Sequence, residues 1–249
     1  NTKAIIVVHL FGKPISEIGE IVKYCLENKI KLIEDCAQAH GAKIHDKKVW
    51  SFWDISCFSF YATKNMWTAE WWITLFKDDT DYKKAKLIYN HGQSEKYFHT
   101  ELGYNFRMTN IQAAIWSAQL LKLSSLNNSR IENAKLYNSI LEKQNTLQIP
   151  QIIENQTNVF HQYTVLVKQD SNISRKQIQE RLKEKWIPTA IHYPIPIHKQ
   201  PYYSRQWYDE NICSNTNYLC ENIFSLPIYP WLKKEEIEYI ANNLLEIIK

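Results

Sequence analysis

The chain has 249 residues, 45% of them hydrophobic and 22% charged, with a formal net charge of +4. These values describe a soluble globular protein, large enough for one sizeable domain or two modest ones. No run of eighteen apolar residues marks a membrane span, and lysines interleaved with glutamates on so mild a charge argue against nucleic acid.

In chain order, residues 4–10 (AIIVVHL) form a short β-branched run that predicts a buried parallel strand. Residues 14–28 carry Ile15, Ile18, Ile21, Val22, Cys25 and Leu26 at helical spacing. Residues 31–36 (KLIEDC) predict a second strand ending in acids, 55–61 (ISCFSFY) a third and 72–76 a fourth. Helices are expected over 79–90 and over 109–126, the latter with Thr109 or Asn110 as N-cap. This β-α-β order predicts an α/β unit, a parallel sheet with helices packed on it. The second half reads as α+β: a helix over 129–144, a strand over 160–167, and a helix over 174–185 capped by Ser174. An extended stretch, 189–192, enters a proline loop (Pro194, Pro196, Pro201), and an amphipathic helix closes the chain over 233–248. The boundary falls near Asn127–Asn128. No internal repeat or low-complexity segment is visible, and no signal peptide.

The five cysteines (Cys25, Cys36, Cys57, Cys213, Cys220) are scattered, odd in number and without Cys-x-x-Cys spacing. They read as reduced thiols of a cytosolic protein. One pair of counts stands apart: 5 Gly against 9 Trp. Glycine is 2.0% of this chain, where about 7% is usual.

Three segments carry candidate chemistry: Asp35-Cys36-Ala37-Gln38-Ala39-His40-Gly41, Phe58-Ser59-Phe60-Tyr61-Ala62-Thr63-Lys64-Asn65, and Gly103-Tyr104-Asn105-Phe106-Arg107-Met108. Two of them follow strands, and ligand sites in open α/β sheets form at the C-terminal ends of strands. Asp35 and Lys64 therefore suit one crevice, an acid and an amine in a partly desolvated pocket. Taken singly, an Asp after a strand is usually a cap, a Lys is usually solvated and an Asn is usually a turn residue. The combination and its order carry the reading.

The stretches VHLFGKP, IEDCAQAHGA, ISCFSFYATKNM, YNHGQSEKYFH, ELGYNFRMTNIQAA, AIHYPIPIHKQPYY and SLPIYP make the chain resemble the DegT/DnrJ/StrS family of nucleotide-sugar aminotransferases, which use pyridoxal 5′-phosphate (PLP). The resemblance covers nearly the whole chain. It implies an aspartate-aminotransferase-like fold (fold type I of PLP enzymes). Residues 1–127 would be the C-terminal part of the large PLP-binding α/β domain, with a mostly parallel sheet, and residues 128–249 a small α+β domain. Roughly the first third of a typical member has no counterpart, so the chain is expected to be a C-terminal fragment whose sheet edges are open and whose activity is in question. Lys64 falls at the position of the Schiff-base lysine. Asp35 would pair with the pyridine nitrogen, Gln38 lie against the ring, Ser59 bind the phosphate, and Asn105 reach the phosphate of a neighbouring subunit. In the loop HYPIPIH, His192, Tyr193 and His198 are candidates for nucleotide-sugar contacts, and a purely structural proline loop fits equally well. Relatives with histidine at the Lys64 position are dehydratases, so lysine implies amino transfer, with glutamate as donor and a keto-sugar nucleotide as acceptor. A cytoplasmic homodimer is implied, with no metal.

Several positions depart from the family pattern in one way. Trp50, Trp53, Trp71, Trp72, Trp116 and Trp186 stand where the family carries glycine, and Trp67 where it carries small residues; Trp207 and Trp231 fall at variable positions. Trp186 directly follows a helix, where a left-handed conformation is usual. Trp71 and Trp72 lie where backbone is expected to approach closely. Three explanations are open: genuine tryptophans forming a sugar-stacking platform on a non-catalytic scaffold, a decayed inactive homologue, or glycine codons (UGA) rendered as tryptophan. Counting the nine tryptophans with the five glycines gives fourteen, about 5.6% of the chain, near the usual share.

Overall fold

A computed structural model describes residues 1–206 and 213–249. Trp207 lies outside the described residues. The chain divides into two compact units, residues 1–128 with 153–161, and residues 129–152 with 162–249. The return of 153–161 to the first unit is not visible in the sequence, whose punctuation suggests one boundary.

The first unit opens with β1 (Ala4–Val8), a 3-10 turn at Leu10–Gly12, and α1 (Ile18–Glu27). The apolar positions of α1 recur at helical spacing, so Ile18 and Cys25 are buried while Glu20 and Lys23 face water. Next come β2 (Lys31–Asp35), the small hairpin β3 (Lys43–Ile44) and β4 (Lys47–Lys48), then β5 (Ile55–Ser59) and β6 (Trp72–Phe76). The main sheet has the order β1-β2-β5-β6. Its first three strands are parallel, joined in register with Val8 opposite Asp35 and Asp35 opposite Cys57. Strand β6 runs antiparallel to β5. No helix lies between β5 and β6 to carry a crossover, so β6 turns back along β5 and the sheet is mostly parallel, as expected. Val7, Ile18, Cys25, Leu32, Ile44 and Trp53 form the core on the α1 side. Leu32 is fully buried, a contribution of about 2 kcal/mol.

Asp78 caps α2 (Asp79–Tyr89), accepting from the N–H groups of Thr80 and Asp81. The hairpin β7 (Gln93–Glu95) and β8 (Phe98–His99) follows. Thr109 and Gln112 form a capping box at the start of α3 (Asn110–Leu120), as the sequence predicts. The next helix, α4 (Leu123–Leu141), is continuous where a gap near 126–129 was expected, and the break falls at Leu121–Lys122 instead. After β9 (Leu147–Gln148), β10 (Gln156–Thr157) pairs antiparallel with β3, which fastens 153–161 to the first unit.

The second unit builds a three-stranded antiparallel sheet from β9, β11 (Tyr163–Val167) and β12 (Ile223–Leu226), with β11 central. Alternate residues of β11, Tyr163, Val165 and Val167, point into the core. Ser174 and Gln177 form the capping box of α5 (Arg175–Glu184). The short α6 (Pro201–Ser204), α7 (Ser214–Asn222) and the closing α8 (Lys234–Ile247) complete the unit. Strand β12 and helix α7 have no counterpart in the sequence reading. Both are short, and β12 is buried at every position, so it lacks the alternation that marks a half-buried strand.

Candidate active site

The ends of β2 and β5 bring the sequence-predicted groups together. Asp35 is the last residue of β2, and its Oδ1 accepts from the Ala37 N–H at 2.9 Å, which leaves Oδ2 open to a ligand. Ser59 ends β5, and its hydroxyl oxygen accepts from the Tyr61 N–H at 3.3 Å. Lys64 sits in the following turn, its N–H donating to the Tyr61 carbonyl at 2.9 Å. Its half-buried amine is held below the ordinary lysine range by burial, and the Asp35 carboxylate opposes that shift. Gln38 is buried, and its Oε1 accepts from the Phe11 N–H at 2.7 Å, fixing the left-handed turn after β1.

Two residues beside this group carry weight that the sequence did not reveal. Asn65, next to Lys64, donates to Asn127 Oδ1 at 2.9 Å and to the Val159 carbonyl at 3.1 Å, and its Oδ1 lies 3.0 Å from His161 Nδ1. Asn127 in turn donates to the His40 carbonyl at 2.7 Å. This buried amide network locks the backbone that carries Lys64. The His40 ring is 2% exposed and lies between Phe58 and Phe60, with centroids at 5.3 and 5.6 Å. No hydrogen bond of good geometry reaches either ring nitrogen. Burial, with a smaller push from Lys64 and a slight counter-pull from the Ser59 carbonyl, takes its pKa down to about 4. His40 is therefore a neutral wall of the site at neutral pH.

Asn105 is engaged locally. It bridges to Asn90, and its Oδ1 accepts from Arg107 Nε at 3.0 Å. The loop that presents it is shaped by two glycines in backbone contact, since a Cβ on Gly103 would fall 1.9 Å from Gly92 N. In the second unit, the His192 and Tyr193 rings meet edge to face at 5.7 Å. His198 Nε2 lies 3.0 Å from Asn217 Oδ1 on α7.

His9, Glu34 and Cys36 place three potential metal-binding atoms within 4.8 Å of one another. Two of the three side chains are already engaged. His9 Nδ1 accepts from the Ile15 N–H, so Nε2 carries the proton and donates to Glu34 Oε1 at 3.1 Å. The Trp50 and Phe52 N–H groups donate to the two Glu34 oxygens at 2.8 and 3.1 Å. Burial pushes the Cys36 thiol far up, so it stays protonated. The cluster is a strut between β2 and the 50–52 loop. Its sequence signal was the adjacent pair Glu34-Asp35, whose side chains must point to opposite faces of β2.

The tryptophans fall into distinct settings. Trp50 has φ +81° and Trp186 φ +60°, a region that costs a non-glycine residue about 1–2 kcal/mol. The buried indole N–H groups of Trp53 and Trp116 have no partner, about 1–3 kcal/mol each. Trp71 and Trp72 stack on each other at 6.5 Å, and Trp72 lies in β6. Neither has a positive φ; the left-handed residue there is Ala69, at +73°. Trp67 and Trp231 are exposed.

Known proteins resemble the chain in sequence and fold. The chain is 36% identical over 242 residues to a UDP-N-acetyl-3-dehydro-alpha-D-glucosamine 3-aminotransferase of Acidithiobacillus ferrooxidans, covering 97% of this chain and 63% of that one. It is 33% identical to GDP-perosamine synthase of Escherichia coli O157:H7, covering 99% and 66%. Its fold superposes on S. venezuelae DesV, solved in complex with a ketimine intermediate, with a TM-score of 0.91 at 27% identity, covering 98% of this chain and 65% of DesV. Helicobacter pylori PseC, an aminotransferase of pseudaminic acid biosynthesis, gives a TM-score of 0.91 at 29% identity, covering 99% and 67%. The chain thus spans about two thirds of the length of these relatives. The fold is that of fold type I PLP enzymes, α/β with a mixed, mostly parallel sheet. With the profile of the DegT/DnrJ/EryC1/StrS aminotransferase family matching residues 1–245, the chain belongs to that family.

Proposed function

We propose that the protein carrying this chain is a PLP-dependent aminotransferase that moves an amino group, from glutamate as donor, to a keto-sugar nucleotide for amino-sugar and surface-polysaccharide biosynthesis. The observation that carries this reading is the pairing of a half-buried Lys64, its amine held below the ordinary range, with the Asp35 carboxylate at adjacent strand ends. The donor set fits the cofactor: an amine for its aldehyde, a carboxylate with an open oxygen for its ring nitrogen, and a hydroxyl for its phosphate. When bound, PLP supplies the electron sink for breaking a bond at the amino-bearing carbon.

The chain's own residues do the rest. Lys64 would hold the cofactor through its amine and, when that amine is free, would take up and return the proton at the substrate's amino-bearing carbon. Desolvation keeps more of that amine neutral and nucleophilic. Asp35 would hold a proton at the ring nitrogen, Gln38 would flank the ring, and Ser59 would bind the phosphate. Asn105 contributes to the site of a second subunit in a cytoplasmic homodimer, and His192, Tyr193 and His198 meet the sugar nucleotide. The relatives named as sugar aminotransferases support the reaction class. The sugar-stacking alternative draws little from the fold, because Trp71 and Trp72 are the only tryptophans in ring contact with each other among the described residues.

The test is the absorbance of the full-length protein with PLP. A band from lysine-bound cofactor is expected and should vanish in Lys64→Ala, with amino transfer falling by at least about 10²–10⁴-fold. A wild-type protein that shows no such band sinks the proposal.

A further inference from the structure

We propose that the source organism places glycine, not tryptophan, at positions 50, 53, 116 and 186, each decoded from a UGA codon. Position 186 shows the reason most plainly. Helix α5 ends in a Schellman motif, in which the N–H of residue 186 donates to the Lys183 carbonyl at 3.0 Å and that of Ile187 to the Leu182 carbonyl at 3.0 Å. Residue 186 is the left-handed member of that motif, the place glycine fills by default. Its indole is 94% exposed and packs on nothing that would repay the conformation.

Position 50 has the same backbone demand from another cause. Its N–H donates to Glu34 Oε1 and its carbonyl accepts from the Ser56 hydroxyl at 2.9 Å, so both ends of the residue are pinned. Those two bonds, not the side chain, set φ at +81°, the largest positive value of any non-glycine residue described. Values above +80° otherwise occur only at glycine among the described residues, at Gly12 (+94°) and Gly41 (+86°), while the other left-handed non-glycine residues, from Phe160 (+42°) and His45 (+46°) to Ala69 (+73°), lie lower. Positions 53 and 116 show a packing conflict instead. Each encloses an indole N–H that finds no acceptor, at 53 in the core beside Ile18 and Leu32 and at 116 on α3, with the ring 6.1 Å from Phe60.

A left-handed cap, a left-handed loop and two enclosed donors are unrelated problems that a single exchange, glycine for tryptophan, would relieve together. Loss of function by random mutation does not select a single residue type, whereas a single codon does. UGA is read as tryptophan in some genetic codes and as glycine in others. A chain with 9 Trp beside 5 Gly carries the compositional mark of that exchange.

The deciding experiment reads the coding DNA and the peptides of the protein as its source cell makes it. UGA at codons 50, 53, 116 and 186, with glycine at those positions in the peptide masses, is the expected result. UGG at any of the four overturns the proposal. That reading needs no folded protein and is independent of the aminotransferase assignment. A physical arm compares thermal unfolding of the chain with its Trp186→Gly variant. A rise in Tm of about 2–4 °C is expected, and an unchanged or lower Tm overturns the conformational argument.

Discussion

At the scale of single residues, His40 and Asp35 make separable predictions. The His40 pKa is about 4 in the folded protein and near 6.5 when unfolded. Between those values the unfolded chain binds more protons. Its stabilising contribution is therefore complete above about pH 6.5 and is lost as pH falls toward 4, by about 3 kcal/mol in all. Urea unfolding at pH 7, 5.5 and 4.5 should show this loss, and His40→Leu should flatten it. An unchanged pH slope in the variant would remove His40 as its source. Asp35 makes one local hydrogen bond, to Ala37. Asp35→Asn should leave the unfolding midpoint within about 1 kcal/mol of wild type while weakening cofactor retention, measured by dialysis of the full-length protein. A large stability loss in that variant would make Asp35 structural.

At the scale of elements, the Glu34 strut fastens the 50–52 loop to β2. Glu34→Ala strands the His9 ring and two backbone N–H groups in a buried place, so a loss of about 3 kcal/mol or more is expected in chemical denaturation. A cost under about 1 kcal/mol would show that water replaces the carboxylate. The elements also show what the sequence could convey. Helix α5 was legible at both ends, because Ser174-x-x-Gln177 is a local capping signal and residue 186 follows directly on the last turn. The strand ends bearing Asp35 and Lys64 were legible because β-branched runs precede them. The direction of β6 was open to inference from the missing helix before it, and the pairing of β10 with β3 was not, since two-residue strands carry no periodicity. Asn65 was hidden for a related reason, since its partners Asn127, Val159 and His161 lie far along the chain, and His40 is likewise tied to Asn127 through its carbonyl.

At the scale of the whole molecule, the main sheet of the first unit ends in two edge strands, β1 and β6, each paired on one side only among the described residues. Ile6 on β1 is 65% exposed, and a groove of about 550 Å³ lined by Trp72, Phe76, Tyr82, Tyr89 and Phe106 lies between β6 and α2. An open apolar edge is a template for pairing with another chain. The 249-residue chain on its own is therefore expected to self-associate with rising concentration in light scattering, and Ile6→Lys to reduce this. A monodisperse monomer at high concentration would contradict it. A last consequence concerns β2, where Glu34 and Asp35 are neighbours with opposite duties. A slip of one residue in β2 would exchange the faces of Asp35 and the strut carboxylate Glu34. The misaligned chain would lose its anchored loop and, on the proposed reading, the carboxylate for the pyridine nitrogen in one stroke. The fold thus checks its own alignment at the place where an error would otherwise yield a stable but inert protein.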